Sequence, residues 1–252
     1  MMREKLIAIA REAGSRILDV YHRDFQVQYK GDHSPLTDAD RASHEWIAQE
    51  LHALDPGIPI LSEEGRDIPY AVRKNWVRFW LVDPLDGTKE FVNRNGEFTV
   101  NISLIEHGYP VLGVIHIPVT GTTYYGEPGV GAVRIERQGE QRWLSVQQPS
   151  DDAITIVDSR SHPSAELESF MERLRHQYSV IHRISKGSAL KFCLVAEGAA
   201  HLYPRMGPTM EWDTGAGQAI VEAAGGKVVW LDGTRVNYNK ENLRNSHFVA
   251  KA

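Results

Sequence analysis

The hexapeptide Asp83-Pro84-Leu85-Asp86-Gly87-Thr88 comes directly after Trp76 to Val82, a segment dense in aromatic and branched residues. Such a segment predicts a buried strand, which the Asp-Pro pair ends abruptly. Pro84 fixes one backbone dihedral and Gly87 permits close backbone approach, so both carboxylates can point to one place. Carboxylates held together repel each other unless a cation lies between them, and oxygen ligands favour Mg²⁺ over Zn²⁺. The alternative is a solvated turn, because Asp, Pro and Gly are common turn residues.

Three more acidic residues are candidates for the same site. Glu63 and Glu64 follow the short apolar segment Ile58 to Leu61. Acidic pairs at strand ends are well placed to converge on one crevice. Asp213 follows Trp212 at the start of a predicted helix, where Asp is also a preferred N-cap residue. A metal ligand and a helix cap are both open for Asp213, and they are compatible because a cap uses one oxygen.

The stretch Ser34-Pro35-Leu36-Thr37-Asp38-Ala39-Asp40 precedes another predicted helix. Thr37 and Asp38 or Asp40 are ordinary helix-start residues, and that interpretation needs no function. The functional alternative is that one Asp reaches a hydroxyl group near the metal ions and makes it a base.

Two different patterns of secondary structure divide the chain. Helices are predicted at 3–23 and 40–54, and strands at 58–61 and 76–82, followed from Thr99 to about Val146 by an antiparallel meander. Strands and helices alternate after residue 150, with strands near 154–157, 180–184, 201–203 and 228–231 and helices near 164–178, 188–198 and 213–224. We therefore expect an α+β half, residues 1–150, with the acidic motifs, and an α/β half, residues 151–252, that contributes Asp213.

Composition limits the classes of protein and partner. With 252 residues, 42% hydrophobic and 24% charged, the chain has the profile of a soluble globular protein. Its 28 Lys and Arg against 33 Asp and Glu give a net charge of −5, which argues against nucleic acid as a partner. The single Cys193 cannot form an intrachain disulfide, which fits a reducing compartment. The sequence contains no Gly-Lys-Ser/Thr phosphate loop and no zinc-protease helix motif.

No apolar run approaches the roughly 18 residues that a bilayer-spanning helix needs. Charged residues interrupt the N-terminal segment, so we expect no signal peptide and a cytoplasmic protein consisting of this whole chain. The amphipathic opening segment has two interpretations, a helix on a membrane surface or a helix packed on the core. The mixed charges on its polar face favour the core.

The acidic motifs, taken in order along the chain, resemble those of the inositol monophosphatase superfamily of Mg²⁺-dependent, Li⁺-sensitive phosphatases. The resemblance rests first on the hexapeptide, on Ser62-Glu63-Glu64 and on Trp212-Asp213. Further matches point to the branch of 3′(2′),5′-bisphosphate nucleotidases of the bacterial CysQ type: Ser34 to Thr37 with Asp40, Lys89 to Phe91, Ser159 to His162, Gly187 to Cys193 and Leu202 to Arg205. Together they run from about residue 6 to residue 239.

The resemblance implies specific roles for the acidic residues. The predicted metal ligands, for two or three Mg²⁺ ions, are the side chains of Glu63, Asp83, Asp86 and Asp213 and the backbone carbonyl of Leu85. Glu64 would at most support these ligands without touching the metal. Thr88 and Asp40 would activate the attacking water, because a Thr hydroxyl bonded to a carboxylate can pass on a proton.

The resemblance also implies the substrate contacts. The scissile phosphate would lie between the metal ions and the backbone N–H groups of Gly87 and Thr88, beside Asp213. The nucleotide would be held by residues of the second half: Ser159, His162, Gly187, Lys191 and Arg205. Each has a plainer alternative: a solvated helix residue for Lys191, a hydrogen-bonding loop residue for His162 and a turn for Gly187.

The implied fold is a layered α-β-α-β-α sandwich with the metals between the halves. The implied reaction is hydrolysis of the 3′-phosphate of adenosine 3′,5′-bisphosphate, inhibited by Li⁺, in a monomer or homodimer. Inositol monophosphate, a sugar bisphosphate and an adenylylated sulfate stay open as substrates. So do association with the inner membrane surface and, from a different class, a nucleotide or Mg²⁺ sensor without turnover.

Overall fold

The computed structural model describes residues 2–24, 26–29, 35–65, 67–159 and 165–252. The helices within these residues are α1 (Met2–Tyr21), α2 (Asp38–Leu54), α3 (Tyr70–Arg73), α4 (Thr88–Val92), α5 (Ala165–Arg175), α6 (Leu190–Ala196) and α7 (Gly215–Ala223). The strands are β1 (Gln28–Tyr29), β2 (Pro35–Leu36), β3 (Ile60–Ser62), β4 (Arg78–Asp86), β5 (Thr99–Glu106), β6 (Tyr109–Ile117), β7 (Thr122–Glu127), β8 (Gly131–Ile135), β9 (Gln141–Leu144), β10 (Ala153–Ser159), β11 (Val180–Lys186), β12 (Leu202–Arg205), β13 (Lys227–Trp230) and β14 (Phe248–Lys251). None of the helices in this part of the chain is both long and apolar enough to cross a bilayer.

A seven-stranded sheet is built in simple sequence order, β3-β4-β5-β6-β7-β8-β9. Only the β3–β4 pair is parallel, and β5 to β9 form the predicted antiparallel meander. Helices α1 and α2 cover one face, where Leu6 and Ile47 pack into one cluster with Trp80 and Val114. The opening helix therefore packs on the core, as its mixed polar face indicated.

A second sheet has five strands in the order β11-β10-β12-β14-β13. Strand β10 runs parallel to β11 and β12, whereas β14 is antiparallel to both of its neighbours. The prediction of alternating strands and helices found four of these strands and missed β14. Strand β14 is four residues long and follows an irregular polar segment, so its local sequence carries no clear period.

Helices α6 and α7 lie between the two sheets, and α5 packs on the outer face of the five-stranded sheet. The order of layers is the α-β-α-β-α sandwich that the resemblance implied. Two glycines of the larger sheet let α7 approach closely. A methyl group at Gly113 would lie 2.5 Å from the Ala216 carbonyl oxygen, and one at Gly126 would lie 2.5 Å from the Ile220 Cα.

The two sheets come from successive parts of the chain, one from residues 60–144 and the other from 153–251. Helix α7, from the second part, packs on the sheet of the first part, so the middle helical layer belongs to both. The division into domains at residue 150 stays a prediction.

Candidate active site

Three carboxylates meet where the two sheets face each other. Side-chain oxygens of Glu63, Asp83 and Asp213 all lie within 4.8 Å of one another. Glu63 follows β3, and its amide continues the ladder by donating to the Val82 carbonyl, 3.2 Å away. Asp83 lies within β4, and Asp213 ends a 3₁₀ turn, Glu211–Asp213, that precedes α7. Residues far apart in sequence therefore provide one cluster of oxygen donors.

Two carboxylates of this cluster, those of Asp83 and Asp213, have raised pKa values. Burial, followed by the charges of Glu63, Asp86 and Asp213, raises the pKa of Asp83 well above its usual range. Burial, with Asp86 and Glu63, raises the pKa of Asp213 in the same way. Buried like charges at this spacing are costly unless a cation compensates them. The cluster thus has the electrostatic character of a site for a hard cation.

Asp86 lies at the end of β4, beside this cluster. Burial raises its pKa to about 6, against the opposing effects of Lys191 and of a hydrogen bond from Asn101. The Asn101 Nδ2 donor lies 3.3 Å from Asp86 Oδ2. Asn101 comes from the adjacent strand β5, and its amide fixes the orientation of the carboxylate.

The prediction that the Asp-Pro pair ends the strand is wrong: β4 continues through Pro84 to Asp86, and a sharp turn follows. Pro84 is tolerated there because it lies in the irregular part of the β4–β5 ladder. The β4–β5 register shifts between Asp83 and Asp86, so these side chains leave the regular alternation of the strand. The Leu85 amide donates to Asp83 Oδ1 at 3.1 Å, which keeps the bend compact. Gly87 has φ 90° and ψ 42°, the left-handed region where glycine is strongly favoured, and α4 begins directly after it.

Thr88 and Asp40 are brought together as predicted. Thr88 Oγ1 lies 3.3 Å from Asp40 Oδ1 and 3.4 Å from the Leu85 carbonyl oxygen. The other carboxylate oxygen of Asp40 accepts from both the amide and the hydroxyl of Thr37, at 2.7 Å each. Helix start and contact with a site hydroxyl were alternative interpretations of Asp40, and the buried side chain serves both, one oxygen each.

A cavity of about 610 Å³ extends from the acidic cluster towards the five-stranded sheet. The predicted residues that line it are Glu63, Asp83, Leu85, Asp86, Gly87, Thr88, Ser159, Lys191, Arg205 and Asp213. Glu64 and Asp40 are outside this lining. Asp213 does not cap α7: its Oδ2 accepts from the Met210 amide at 2.8 Å instead.

Two buried cations line the same cavity as the acidic cluster. Lys191 is 4% exposed, and burial lowers its pKa to about 8, with Asp86 acting in the opposite direction. Its Nζ donates to the carbonyl oxygen of Ser188 and lies 5.4 Å from the centre of the Tyr203 ring. Arg205 Nη2 donates to the Pro208 carbonyl at 2.8 Å, while its buried Nε has no partner within the described residues. The cavity lining therefore combines a carboxylate cluster with two buried cations.

Sequence reasoning missed Ser188, which lines the cavity together with Lys191. Its Oγ is buried and has no hydrogen-bond partner among the described residues. No sequence pattern marks a serine that follows a glycine in a loop as functional. The feature that distinguishes Ser188 is its positive φ of 42°, which only the structure shows. The predicted Gly187 is not in the lining, and its amide donates to the carboxylate of Glu97, which is also outside the lining. His162 lies outside the described residues.

Comparisons with known proteins agree with this geometry. The model of the inositol monophosphatase family matches residues 2–251. The 3′(2′),5′-bisphosphate nucleotidase CysQ of Escherichia coli K12 is 46% identical over 252 residues, covering 98% of both chains. The chain therefore belongs to the inositol monophosphatase family.

Solved structures place the chain in the same family. The crystal structure of CysQ from Bacteroides thetaiotaomicron, a bacterial member of the family, superimposes with a TM-score of 0.88 at 41% identity, covering 99% of this chain and 97% of that one. An inositol monophosphatase from Anabaena has a TM-score of 0.73 at 26% identity, covering 98% of this chain and 88% of its own.

Proposed function

We propose that the protein is a Mg²⁺-dependent phosphomonoesterase that hydrolyses the 3′-phosphate of adenosine 3′,5′-bisphosphate to AMP and inorganic phosphate. The main support is that an oxygen-only carboxylate cluster and the buried Lys191 and Arg205 line one cavity. A substrate with two phosphate groups would use both features, the metal-binding carboxylates for one phosphate and the buried cations for the other. The names of the relatives support the same activity.

The donor set fits Mg²⁺. Glu63, Asp83, Asp86 and Asp213 would hold two or three ions together with the Leu85 carbonyl. The pKa values of Asp83 and Asp213 are raised because these acids are buried next to other carboxylates. A bound cation would compensate this repulsion. When bound, Mg²⁺ supplies the positive charge that offsets the phosphate and lowers the pKa of the attacking water.

The chain itself provides the base. Thr88 Oγ1 accepts a proton from the attacking water and passes its own proton to Asp40 Oδ1, 3.3 Å away. The water oxygen bonds to phosphorus as the bond from phosphorus to the 3′-oxygen breaks, and a second water molecule protonates that oxygen to give the 3′-hydroxyl of AMP. Asp40 is 1% exposed, so bulk water does not compete for its carboxylate. The Thr37 hydrogen bonds fix its orientation.

The phosphate to be transferred is positioned by backbone amides. Gly87 and Thr88 would direct their N–H groups at it, and a side chain at Gly87 would obstruct the approach. A methyl group there would lie 3.2 Å from both the Glu97 carbonyl oxygen and the Ser188 Cβ. Asp213 would also touch this part of the substrate.

The two buried cations would hold the rest of the nucleotide. Lys191 and Arg205 would bind the 5′-phosphate, and the unpartnered Ser188 hydroxyl and Arg205 Nε would be further donors for it. Ser159, which lines the cavity, and His162 would contact the nucleoside, whereas Gly187, outside the lining, would act through the loop that carries Ser188. Inositol monophosphate has a single phosphate and would leave these buried donors unused, which disfavours it as the substrate.

The remaining parts of the proposal concern the enzyme as a whole. We propose inhibition by Li⁺ at the metal site, a cytoplasmic location, and a monomer or homodimer built from halves 1–150 and 151–252. Association with the cytoplasmic face of the inner membrane would be peripheral.

The product of the reaction tests the proposal. After incubation with adenosine 3′,5′-bisphosphate and Mg²⁺, we expect equimolar AMP and phosphate, identified by chromatography against AMP and adenosine 3′-phosphate standards. Release of adenosine 3′-phosphate would contradict the proposal that the 3′-phosphate lies at the metal-binding carboxylates. Unchanged nucleotide, bound but not hydrolysed, would support a sensor instead.

A further inference from the structure

One carboxylate outside the cavity connects the two loops that form its walls. Glu97 lies between α4 and β5, in the first part of the chain, and it is absent from the cavity lining. Its Oε1 accepts from Lys186 Nζ at 2.9 Å, and its Oε2 accepts from the Gly187 amide at 2.8 Å. Lys186 is the last residue of β11, and Gly187 begins the loop that joins β11 to α6 in the second part of the chain. The bond therefore crosses between the sheets.

The same residue touches the loop around the hexapeptide through its backbone. The Glu97 carbonyl oxygen lies 3.2 Å from the position that a methyl group would take at Gly87, and 3.0 Å from the corresponding position at Gly187. Glu90 fills the space between these glycines, since its Cγ would lie 2.7 Å from a methyl group at Gly187. Two glycines and two carboxylate residues thus bring the loops into contact.

The loop that Glu97 contacts contains Ser188 and leads to Lys191, and both residues line the cavity. Ser188 has a φ of 42°, which a residue with a side chain adopts only when its surroundings impose it. Lys191 Nζ donates to the carbonyl oxygens of Ser188 and Lys186, at 3.4 Å for the latter. The position of the Lys191 ammonium group therefore depends on the conformation of this loop. That conformation in turn depends on the hydrogen bond from the Gly187 amide to Glu97.

We propose that Glu97 is a positioning residue for substrate recognition: its carboxylate fixes residues 186–188 so that Ser188 and Lys191 meet the non-scissile phosphate of the nucleotide. This inference rests on the proposed function for the identity of the ligand. It concerns binding and not bond cleavage, because the Glu97 carboxylate accepts from Lys186 and Gly187 and Glu97 is outside the cavity lining that holds the acidic cluster. The side chain is 12% exposed, so its bond to an amide is shielded from water and is of the charge-assisted kind.

The test variant is Glu97→Gln, which has nearly the same shape but cannot accept at both positions. We expect the KM for adenosine 3′,5′-bisphosphate to rise about tenfold, the loss of one charge-assisted hydrogen bond. The kcat should stay within about twofold, because the metal ligands and Thr88 are unchanged. The KM for adenosine 3′-phosphate, which lacks the second phosphate, should change little.

Two further variants separate positioning from simple loss of stability. Lys186→Met removes one of the two donors but leaves the Gly187 bond, so its effect on KM should be smaller than that of Glu97→Gln. Glu127→Gln is the matched control: Glu127 accepts from the Tyr125 hydroxyl at 2.9 Å and does not line the cavity. It should leave both kinetic constants unchanged.

Amide hydrogen exchange provides a readout that does not depend on turnover. Exchange at residues 186–190 should accelerate in Glu97→Gln and stay unchanged in Glu127→Gln. A wild-type protein that fails to hydrolyse the bisphosphate would overturn the proposed function, while the exchange result would still decide the role of Glu97. Unchanged exchange in this loop, or equal losses of kcat on both substrates, would overturn the positioning role.

Discussion

The Thr88 hydroxyl lies 3.3 Å from Asp40 Oδ1, across 48 positions of sequence. Asp40 is in the first turn of α2 and Thr88 is the first residue of α4, so the contact depends on two helix starts being packed together. The second oxygen of Asp40 is taken by Thr37, which leaves the first directed at Thr88. The Asp40 carboxylate therefore caps α2 and also accepts a hydrogen bond from Thr88, which lines the cavity.

Loss of the Thr88 hydroxyl should reduce turnover while metal binding persists. We expect Thr88→Ala to lower kcat by about 10² to 10⁴, the range for removal of a general base. Thr88→Ser is the matched control, because it keeps the hydroxyl that reaches Asp40. Steady-state rates together with Mg²⁺ titration by calorimetry measure both effects. An unchanged kcat in Thr88→Ala would remove this residue from the proton transfer.

Asp40→Asn should also reduce turnover, and it should cost some stability. The amide of Asn cannot take up a proton from Thr88, and its NH₂ group replaces one of the two acceptor oxygens. Since the Thr37 contacts cap α2, we expect a loss of about 1 kcal/mol in the free energy of unfolding. Denaturant unfolding measures this loss, and rates are compared at a temperature where the variant is fully folded. Turnover equal to that of the wild type would contradict the base role.

The stability of the metal-free protein should fall as pH rises. The pKa values of Asp83 and Asp213 are raised, and that of Asp86 is about 6, so the folded state holds protons that the unfolded state has already lost. Their contribution is complete below the unfolded pKa of about 4 and is lost as pH rises through the folded values. Thermal unfolding in EDTA between pH 4 and pH 8 measures this trend.

Mg²⁺ should reverse that loss at neutral pH. At a concentration about a hundred times its Kd, a bound ion adds about 2.7 kcal/mol to the free energy of unfolding. Asp83→Asn removes one of the repelling charges, so the metal-free variant should melt higher than the wild type at pH 8 and respond less to Mg²⁺. A wild-type Tm that ignores Mg²⁺ at every pH would contradict the metal site.

Lys191 should make nucleotide affinity sensitive to pH. Burial lowers its pKa to about 8, so the ammonium is charged below that pH and loses its charge above it. Since the charged form attracts phosphate, kcat/KM for adenosine 3′,5′-bisphosphate should fall as pH rises through about 8. Lys191→Met should raise KM about tenfold or more at pH 7 and abolish this step in the profile. An identical alkaline limb in the variant would show that another group titrates there.

The close packing of α7 on the seven-stranded sheet should affect metal binding by Asp213. A methyl group at Gly113 would lie 2.5 Å from the backbone oxygen of Ala216, so the helix must shift in Gly113→Ala. We expect a loss of about 1–3 kcal/mol in the free energy of unfolding and weaker Mg²⁺ binding, because Asp213 directly precedes this helix. Gly57→Ala, near only a surface side-chain oxygen, is the control. Wild-type Mg²⁺ affinity in Gly113→Ala would show that the position of Asp213 does not depend on this contact.

Much of this arrangement follows from local sequence. The apolar composition of the strand before the hexapeptide, the alternation of the meander and the helical spacing of the opening segment predict these elements, and the structure contains all three. Only the end of the strand differs, because β4 continues to Asp86. The acidic residues were recognised because their order resembles that of a known family. Ser188 and Glu97 were missed because their significance comes from contacts across the two sheets, which no local pattern encodes. Strand β14 was missed because only its pairing with β12 and β13 defines it.

The most direct test of the central claim is phosphate release from adenosine 3′,5′-bisphosphate and from inositol 1-phosphate, measured side by side with Mg²⁺ and with Mg²⁺ plus Li⁺. A cavity lined by metal-binding carboxylates and by the buried Lys191 and Arg205 predicts a much higher kcat/KM for the nucleotide and loss of this activity in Li⁺. A preference for the inositol ester would contradict the role of Lys191 and Arg205 while keeping the metal site. Turnover of neither substrate would contradict the assignment of the protein as a phosphatase.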